Sequence, residues 1–237
     1  MGSPKAALVA GGTGGIGEGI VKVLVDAGWV VFVPLRPGDT GEQLKTYCAE
    51  KVDSLIFIEC DLGIASAVED LKRALQVKSK ILNLVVVAVG SNYYGYSLLR
   101  IPEAEWKRLV LENLATHFHL QQVFLNLLRE QDEGTYVTLT GPEADFAHPD
   151  SGVLSILAAA QKMMARVEAL EASDSGIRIY SVTAKTPVAT RARGEQSSPD
   201  WLQPEDLGRY ILRLAEKSDK DVVHILENRD AVRVLLG

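Results

Sequence analysis

The chain has 237 residues, 47% of them hydrophobic, and a formal net charge of −6 at pH 7. This length and apolar content can bury a sizeable core, and we expect one domain over residues 1–237. The acidic balance provides no positive field for nucleic acid or an anionic membrane surface, so neither is an expected partner. The two cysteines need no disulfide, and no run approaches the roughly 20 apolar residues of a membrane span, so we expect a cytoplasmic protein.

Short apolar runs alternate with helical patterns along the chain. Nearly continuous Val, Ile and Leu runs are typical of strands buried on both faces of a parallel sheet. We predict strands over residues 5–10, 29–34, 54–60, 81–89, 135–140, 177–183 and 222–226. We predict helices over residues 16–27, 64–76, 103–130, 152–173 and 204–217. The alternation predicts an α/β fold with a doubly wound parallel sheet of about seven strands.

A glycine-rich segment, GGTGGIG, follows the first strand directly and opens the first helix. Its glycines at 11, 15 and 17 let the turn close and let the backbone approach a pyrophosphate at the helix N-terminus. The alternative is a turn that only joins strand to helix. The position between the first strand and the first helix favours a dinucleotide site. Its candidate residues are Gly11, Thr13, Gly14, Gly15, Ile16 and Gly17.

The segment CDL follows the third predicted strand and contains Asp61 and Leu62. The Asp61 carboxylate could accept a hydrogen bond from an adenine amino group. It could equally be the N-cap of the next helix. The sequence leaves both interpretations open.

The chain resembles the short-chain dehydrogenase/reductase family over almost its whole length. The resemblance is carried by the Gly11, Gly15 and Gly17 spacing, by CDL, by Asn113 in LENLATHF, and by GIRIYSV before Thr190. It implies a Rossmann-like sheet, NAD(P) at the carboxyl ends of the strands, and hydride transfer between a small carbonyl and an alcohol. It also implies cofactor contacts from Gly90, in the turn VAVG, and from Thr190.

The resemblance also implies the choice of cofactor. Family members that prefer NAD carry an acidic residue at the end of the second strand, and those that prefer NADP carry an arginine. Here Arg36 follows that strand and no acidic residue appears before Asp39. Arg36 could bind a 2′-phosphate, which favours NADP(H) over NAD(H). The alternative is a solvated arginine.

The family's catalytic serine, tyrosine and lysine are absent at the expected places. Counting back from GIR at 176–178 without gaps puts the tyrosine at Leu154, the lysine at Ala158 and the serine on or beside Gly141. A one-turn shift would put Lys162 in the lysine place and Ala158 in the tyrosine place. Asn113 matches the family's fourth catalytic residue, or is an ordinary polar position on its helix. The usual proton donor is replaced in either register.

Other side chains could supply a proton, although each has an ordinary structural explanation. Thr140 could replace the hydroxyl that orients a carbonyl. The remaining candidates could donate a proton, or could simply pack in a loop or form a turn. These candidates are Tyr93, Tyr94, Tyr96, His148 and Asp150. The YCAEK segment at 47–51 is interpreted as a solvated helix face. His117 and His119 favour a helix–helix interface, and no cluster indicates a metal.

Two functions therefore remain open. The first is an NADP(H)-dependent oxidoreductase with a non-standard proton donor. The second is a non-catalytic NADP(H)-binding protein, such as a sensor or an inactive partner subunit. By resemblance, helices 103–130 and 152–173 would form a homodimer or homotetramer.

Overall fold

The computed structural model describes residues 4–91 and 93–236, except the side chain of Glu195. These residues contain one parallel sheet of seven strands in the order β3-β2-β1-β4-β5-β6-β7. The strands are β1 Ala6–Ala10, β2 Val30–Leu35, β3 Leu55–Glu59, β4 Leu84–Val87, β5 Gly134–Thr140, β6 Ile177–Ala184 and β7 Val223–Leu226. The predicted doubly wound, Rossmann-like fold is confirmed.

The helices fall largely where the apolar periodicity predicts them. They are α1 Gly17–Asp26, α2 Glu42–Tyr47, α3 Ala65–Lys78, α4 Glu103–Val110, α5 Thr116–Gln131, α6 Gly152–Glu171, α7 Pro204–Glu216 and α8 Arg229–Leu236. The predicted helix 103–130 is in fact α4 and α5, joined by a π-helical turn over Leu111–Ala115. Helices α2 and α8 are not among the predicted helices, because six and eight residues give too short a periodic pattern.

Helices cover both faces of the sheet. On one face Ile20 and Leu24 of α1 and Leu207 of α7 are buried in one cluster with Val9 and other strand residues. On the other face, a second cluster buries residues of α3, α5 and α6 against the opposite side of the strands. Since both faces are covered, the cleft that stays open lies at the carboxyl ends of the strands, where the order reverses between β1 and β4. Within the described residues, none of the helices combines the length and the apolar content that crossing a membrane requires.

Candidate active site

Two adjoining cavities lie along the carboxyl ends of the strands. The larger, about 680 Å³, is lined by the β1–α1 loop and by residues that follow β2, β3 and β4. The smaller, about 300 Å³, is lined by residues that follow β4, β5 and β6 and by one face of α6. Both include Ala88, Val89 and Gly90, which directly follow β4. The two cavities therefore form one cleft that spans the switch point of the sheet.

The glycine loop needs residues without a side chain at several close approaches, among them those of Gly11 and Gly15. Gly11 has φ +82°, and a Cβ there would lie 2.5 Å from the carbonyl oxygen of Ala88. A Cβ on Gly15 would lie 2.9 Å from Cβ of Thr190, which places Thr190 directly against the loop. Helix α1 begins at Gly17, directly after the loop, so the partial positive charge of its N-terminus lies beside the cleft and favours an anion there.

The predicted adenosine residues line the larger cavity. Arg36 is exposed there, and Asp61 and Leu62 line the same cavity. The Asp61 carboxylate accepts a hydrogen bond from Gly63 N at 2.9 Å. Helix α3 begins at Ala65 with Ile64 as its N-cap, so the interpretation of Asp61 as the helix cap is wrong.

The three residues that the gapless count assigns to the family's serine, tyrosine and lysine come together at the smaller cavity. Gly141, Leu154 and Ala158 all line it. Lys162 does not: its side chain is 5% exposed and its Nζ binds the Asp145 carboxylate at 2.6 and 2.7 Å. This geometry favours the gapless register over the one-turn shift.

Asn113 lies in the π-helical turn and is held on several sides. Its Oδ1 accepts from Ser91 N at 3.0 Å, and its Nδ2 donates to Leu109 O at 3.0 Å. Its own backbone carbonyl accepts a hydrogen bond from Gln161 Nε2. Gln161 also lines the cavity and was not singled out in the sequence. Its spacing from Leu154 and Ala158, which puts all three on one helix face, was the signal that could have found it.

The structure brings some of the alternative proton donors to the cleft and leaves others outside it. Tyr94 lines the smaller cavity, whereas Tyr93 and Tyr96 stack on each other with ring centroids 5.3 Å apart. Thr140 also lines the cavity, but its hydroxyl shares a hydrogen bond of 2.9 Å with Thr183. His148 and Asp150 are exposed and line neither cavity, so the structure does not bring them into the cleft.

An ion pair between a buried carboxylate and a half-exposed guanidinium ties the segment after Thr190 to the glycine loop. The Glu18 carboxylate, in the first turn of α1, is bound by two nitrogens of Arg191, with Nε to Oε1 at 2.7 Å. The guanidinium also lies over the Tyr47 ring, 4.9 Å from its centroid, and Tyr47 Oη donates to Glu205. The interpretation of Tyr47 as part of a solvated face was therefore wrong. No local signal could have found this cluster, because Glu18 and Arg191 are 173 positions apart.

His117 is fully buried on α5 and contacts the chain that follows β4. Its Nε2 lies 3.0 Å from the carbonyl oxygen of Val89, two residues after β4. Complete burial lowers the pKa of His117 from 6.5 to about 4. The residue is therefore neutral at pH 7. The described residues hold no group of three or more His, Cys, Asp and Glu side chains placed to bind a metal ion.

The stability of the protein is expected to fall in mild acid because of His117. In the unfolded chain its pKa is near 6.5, so the unfolded state takes up a proton as pH falls below 6.5 while the folded state stays neutral down to about 4. The free energy of unfolding should drop by about 3 kcal/mol over this window on account of this residue. Urea unfolding as a function of pH measures it.

His117→Gln is expected to flatten that pH dependence, since glutamine keeps an N–H donor but does not titrate. His148→Gln is the matched control, because His148 is an exposed loop residue. Parallel pH profiles for the wild type and His117→Gln would show that His117 is not the source.

Comparison with known proteins identifies the family. Residues 5–201 match the family model described as short chain dehydrogenase. This match covers most of the chain, which therefore belongs to the short-chain dehydrogenase/reductase family.

Individual relatives are distant. The chain is 26% identical over 204 residues to "Uncharacterized oxidoreductase YvaG" of Bacillus subtilis, covering 84% of this chain and 74% of that protein. The structure of "ElxO with NADP Bound" gives a TM-score of 0.85 at 17% identity, covering 94% of this chain and 96% of that one. A metagenomic short-chain oxidoreductase in complex with NADP gives 0.79 at 20% identity, covering 94% and 95%. At these identities the solved structures show the shared fold.

Proposed function

We propose that this protein binds NADP(H) and is an oxidoreductase with a non-standard active site. One observation carries the proposal: a single cleft joins a complete glycine loop to a cavity whose wall, at Leu154 and Ala158, is apolar. Family membership supports the oxidoreductase class.

The residues of the cleft fit a nicotinamide dinucleotide. The absence of side chains at Gly11 and Gly15 leaves the backbone free to approach a pyrophosphate, which the N-terminus of α1 would stabilise. The part of the ligand in the larger cavity would be bordered by Thr13, Gly14, Asp61 and Leu62. Ile16 and Val188 line the smaller cavity and would flank the nicotinamide, with Gly90 between the two parts and Thr190 beside Gly15. When bound, this cofactor supplies or accepts a hydride.

Arg36 supports a preference for NADP(H) over NAD(H). It is exposed at the larger cavity, where a guanidinium can bind a phosphate with two N–H groups. The two solved structures named above are described with NADP, which agrees with this preference.

Arg36→Ala is expected to weaken NADPH binding by about 10-fold or more, because a charge-assisted hydrogen bond is lost, while NADH binding changes little. Titration of NADPH and NADH fluorescence measures both affinities. Arg73→Ala is the control, since Arg73 is exposed on α3 and lines neither cavity. An unchanged ratio of the NADPH and NADH affinities would contradict the role of Arg36, and absence of NADPH binding would contradict the proposed function.

The catalytic half of the site would differ from that of the family. Gly141, Leu154 and Ala158 stand where we place the serine, tyrosine and lysine, and Asn113 keeps the fourth position. The side chain of Gln161 binds the Asn113 carbonyl, so that carbonyl is already paired within the protein. Loss of general acid catalysis typically costs about 10²- to 10⁴-fold in rate, so turnover of a simple carbonyl or alcohol would be slow.

The same observation favours a second candidate function. A cleft that keeps its nucleotide half and lacks the usual proton donor also suits an NADP(H)-binding sensor or an inactive partner subunit. NADPH binding without NADPH consumption across a panel of carbonyl compounds would favour this candidate.

We also propose a homodimer or homotetramer. Helices α5 and α6 expose large apolar side chains that a second copy could cover: Phe118, Ile156, Met163, Val167 and Leu170.

A further inference from the structure

A carboxylate occupies the part of the smaller cavity that a side chain at position 141 would fill. A Cβ built on Gly141 would overlap Oε2 of Glu143, so the glycine leaves room for this carboxylate. Glu143 lies in the short helical turn Pro142–Ala144 after β5 and lines the cavity. Among the α6 residues that line it, Gln161 is the polar one. The cavity therefore presents an anionic acceptor at this place.

Tyr94 completes a polar pair with Glu143. Its hydroxyl donates to Oε1 of Glu143 at 3.1 Å, and both side chains line the cavity. Partial burial raises the pKa of Tyr94, and the neighbouring Glu143 carboxylate raises it further, so the phenol stays neutral. Glu143 forms no ion pair with any of the described side chains.

The rest of the cavity limits the charge of a ligand. Leu154, Leu157 and Ala158 form an apolar wall, against which an organic cation can pack only if a carboxylate compensates its charge. Arg193 also lines the cavity, with its guanidinium 5.4 Å from the centroid of the Trp201 ring. Its positive charge opposes any cation in the cavity. Glu143, the one acidic side chain among the described lining residues, can therefore compensate no more than a single positive charge on the ligand.

We propose that Glu143 and Tyr94 form a subsite for the protonated nitrogen of a small amine or imine with a single positive charge. This substrate class rests on the proposed function, because it names what would lie beside the nicotinamide in the same cleft. The ammonium or iminium N–H would donate to the Glu143 carboxylate, and the Tyr94 hydroxyl would hold that carboxylate in place.

This class also suits a site without the usual proton donor. A C=N bond that is protonated at nitrogen carries its proton already. Addition of a hydride to its carbon, with a dihydronicotinamide as the reductant, converts the cation R₂C=NHR⁺ into the neutral amine R₂CH–NHR. The hydride brings the two electrons and the hydrogen, so no further proton is needed and Leu154 does not prevent the reaction.

Calorimetric titration tests the subsite through binding rather than turnover. Pyrrolidine, protonated at pH 7.5, is compared with tetrahydrofuran, a neutral ring of the same size, with and without saturating NADP⁺. Pyrrolidinium is expected to bind saturably and at least about 10-fold more tightly than tetrahydrofuran. Glu143→Gln should weaken pyrrolidinium binding about 10-fold or more and leave NADP⁺ affinity unchanged.

Two further variants sharpen the result. Gly141→Ala should also weaken pyrrolidinium binding, because the added Cβ displaces the Glu143 carboxylate. Glu133→Gln should have no effect, since Glu133 is exposed just before β5, at the opposite end of the sheet.

Equal binding of tetrahydrofuran, or unchanged pyrrolidinium binding by Glu143→Gln, would overturn the subsite, and NADP⁺ binding would still support the proposed function. Absence of NADP⁺ binding would overturn the proposed function instead, and the titrations without nucleotide would still decide the subsite.

Discussion

Replacing Gly15 with valine is expected to weaken NADPH binding by about 100-fold or more while the protein stays folded. A Cβ at this position already meets Thr190 at 2.9 Å, so the valine methyl groups must project into the cleft or push the segment after Thr190 away from α1. Either change obstructs the place where we put the pyrophosphate. NADPH fluorescence titration measures the loss, and circular dichroism checks the fold.

The matched control for Gly15→Val is Ala159→Val. Ala159 is exposed on α6, so its substitution adds a similar side chain away from the cleft. Wild-type affinity in Gly15→Val would show that the glycine loop does not hold the nucleotide.

Rebuilding the family's catalytic residues is expected to create ketone reductase activity. The wild type should bind NADPH and reduce simple ketones negligibly. The triple variant Gly141→Ser, Leu154→Tyr, Ala158→Lys should reduce ketones faster than the wild type. The expected gain in rate approaches about 10²-fold, the lower end of what general acid catalysis contributes. The lysine is required because an unassisted phenol, with a pKa near 10, is poorly matched to neutral pH. Initial rates of NADPH oxidation with a ketone measure the gain.

The structure adds one condition to this rebuilding. A side chain at position 141 displaces the Glu143 carboxylate, which is the end of a flexible side chain and can rotate away. The control is Gly141→Ala, Leu154→Phe, Ala158→Met, which has similar volumes without the hydroxyl and amino groups. Brisk ketone reduction by the wild type, undiminished in Leu154→Ala, would contradict the assignment and direct attention to Tyr94.

Local sequence patterns were sufficient for the sheet and for the place of the glycine loop. The strands are continuous apolar runs because both faces of the sheet are covered, and such runs are visible without any knowledge of their neighbours. The spacing of Gly11, Gly15 and Gly17 was informative for the same reason. It reflects a tight turn within seven consecutive residues, between a strand and a helix that the pattern also predicted.

The substrate half was harder to predict because its residues come from distant parts of the chain. Sequence left two registers for α6, and the ion pair between Lys162 and Asp145 is the tertiary contact that separates them. Three tyrosines follow β4 within a few residues, and only the irregular path of that loop determines that Tyr94 faces the cavity while Tyr93 and Tyr96 stack.

What the sequence determined by itself was therefore the fold and the place of the glycine loop between the first strand and the first helix. The tertiary structure decided which side chains meet. Gln161 binds the Asn113 carbonyl across 48 positions, Arg191 binds Glu18 across 173, and Glu143 fills the space beside Gly141. Such contacts depend on the packing of elements far apart in the chain, whereas helical and strand periodicity depends only on neighbours within a few residues.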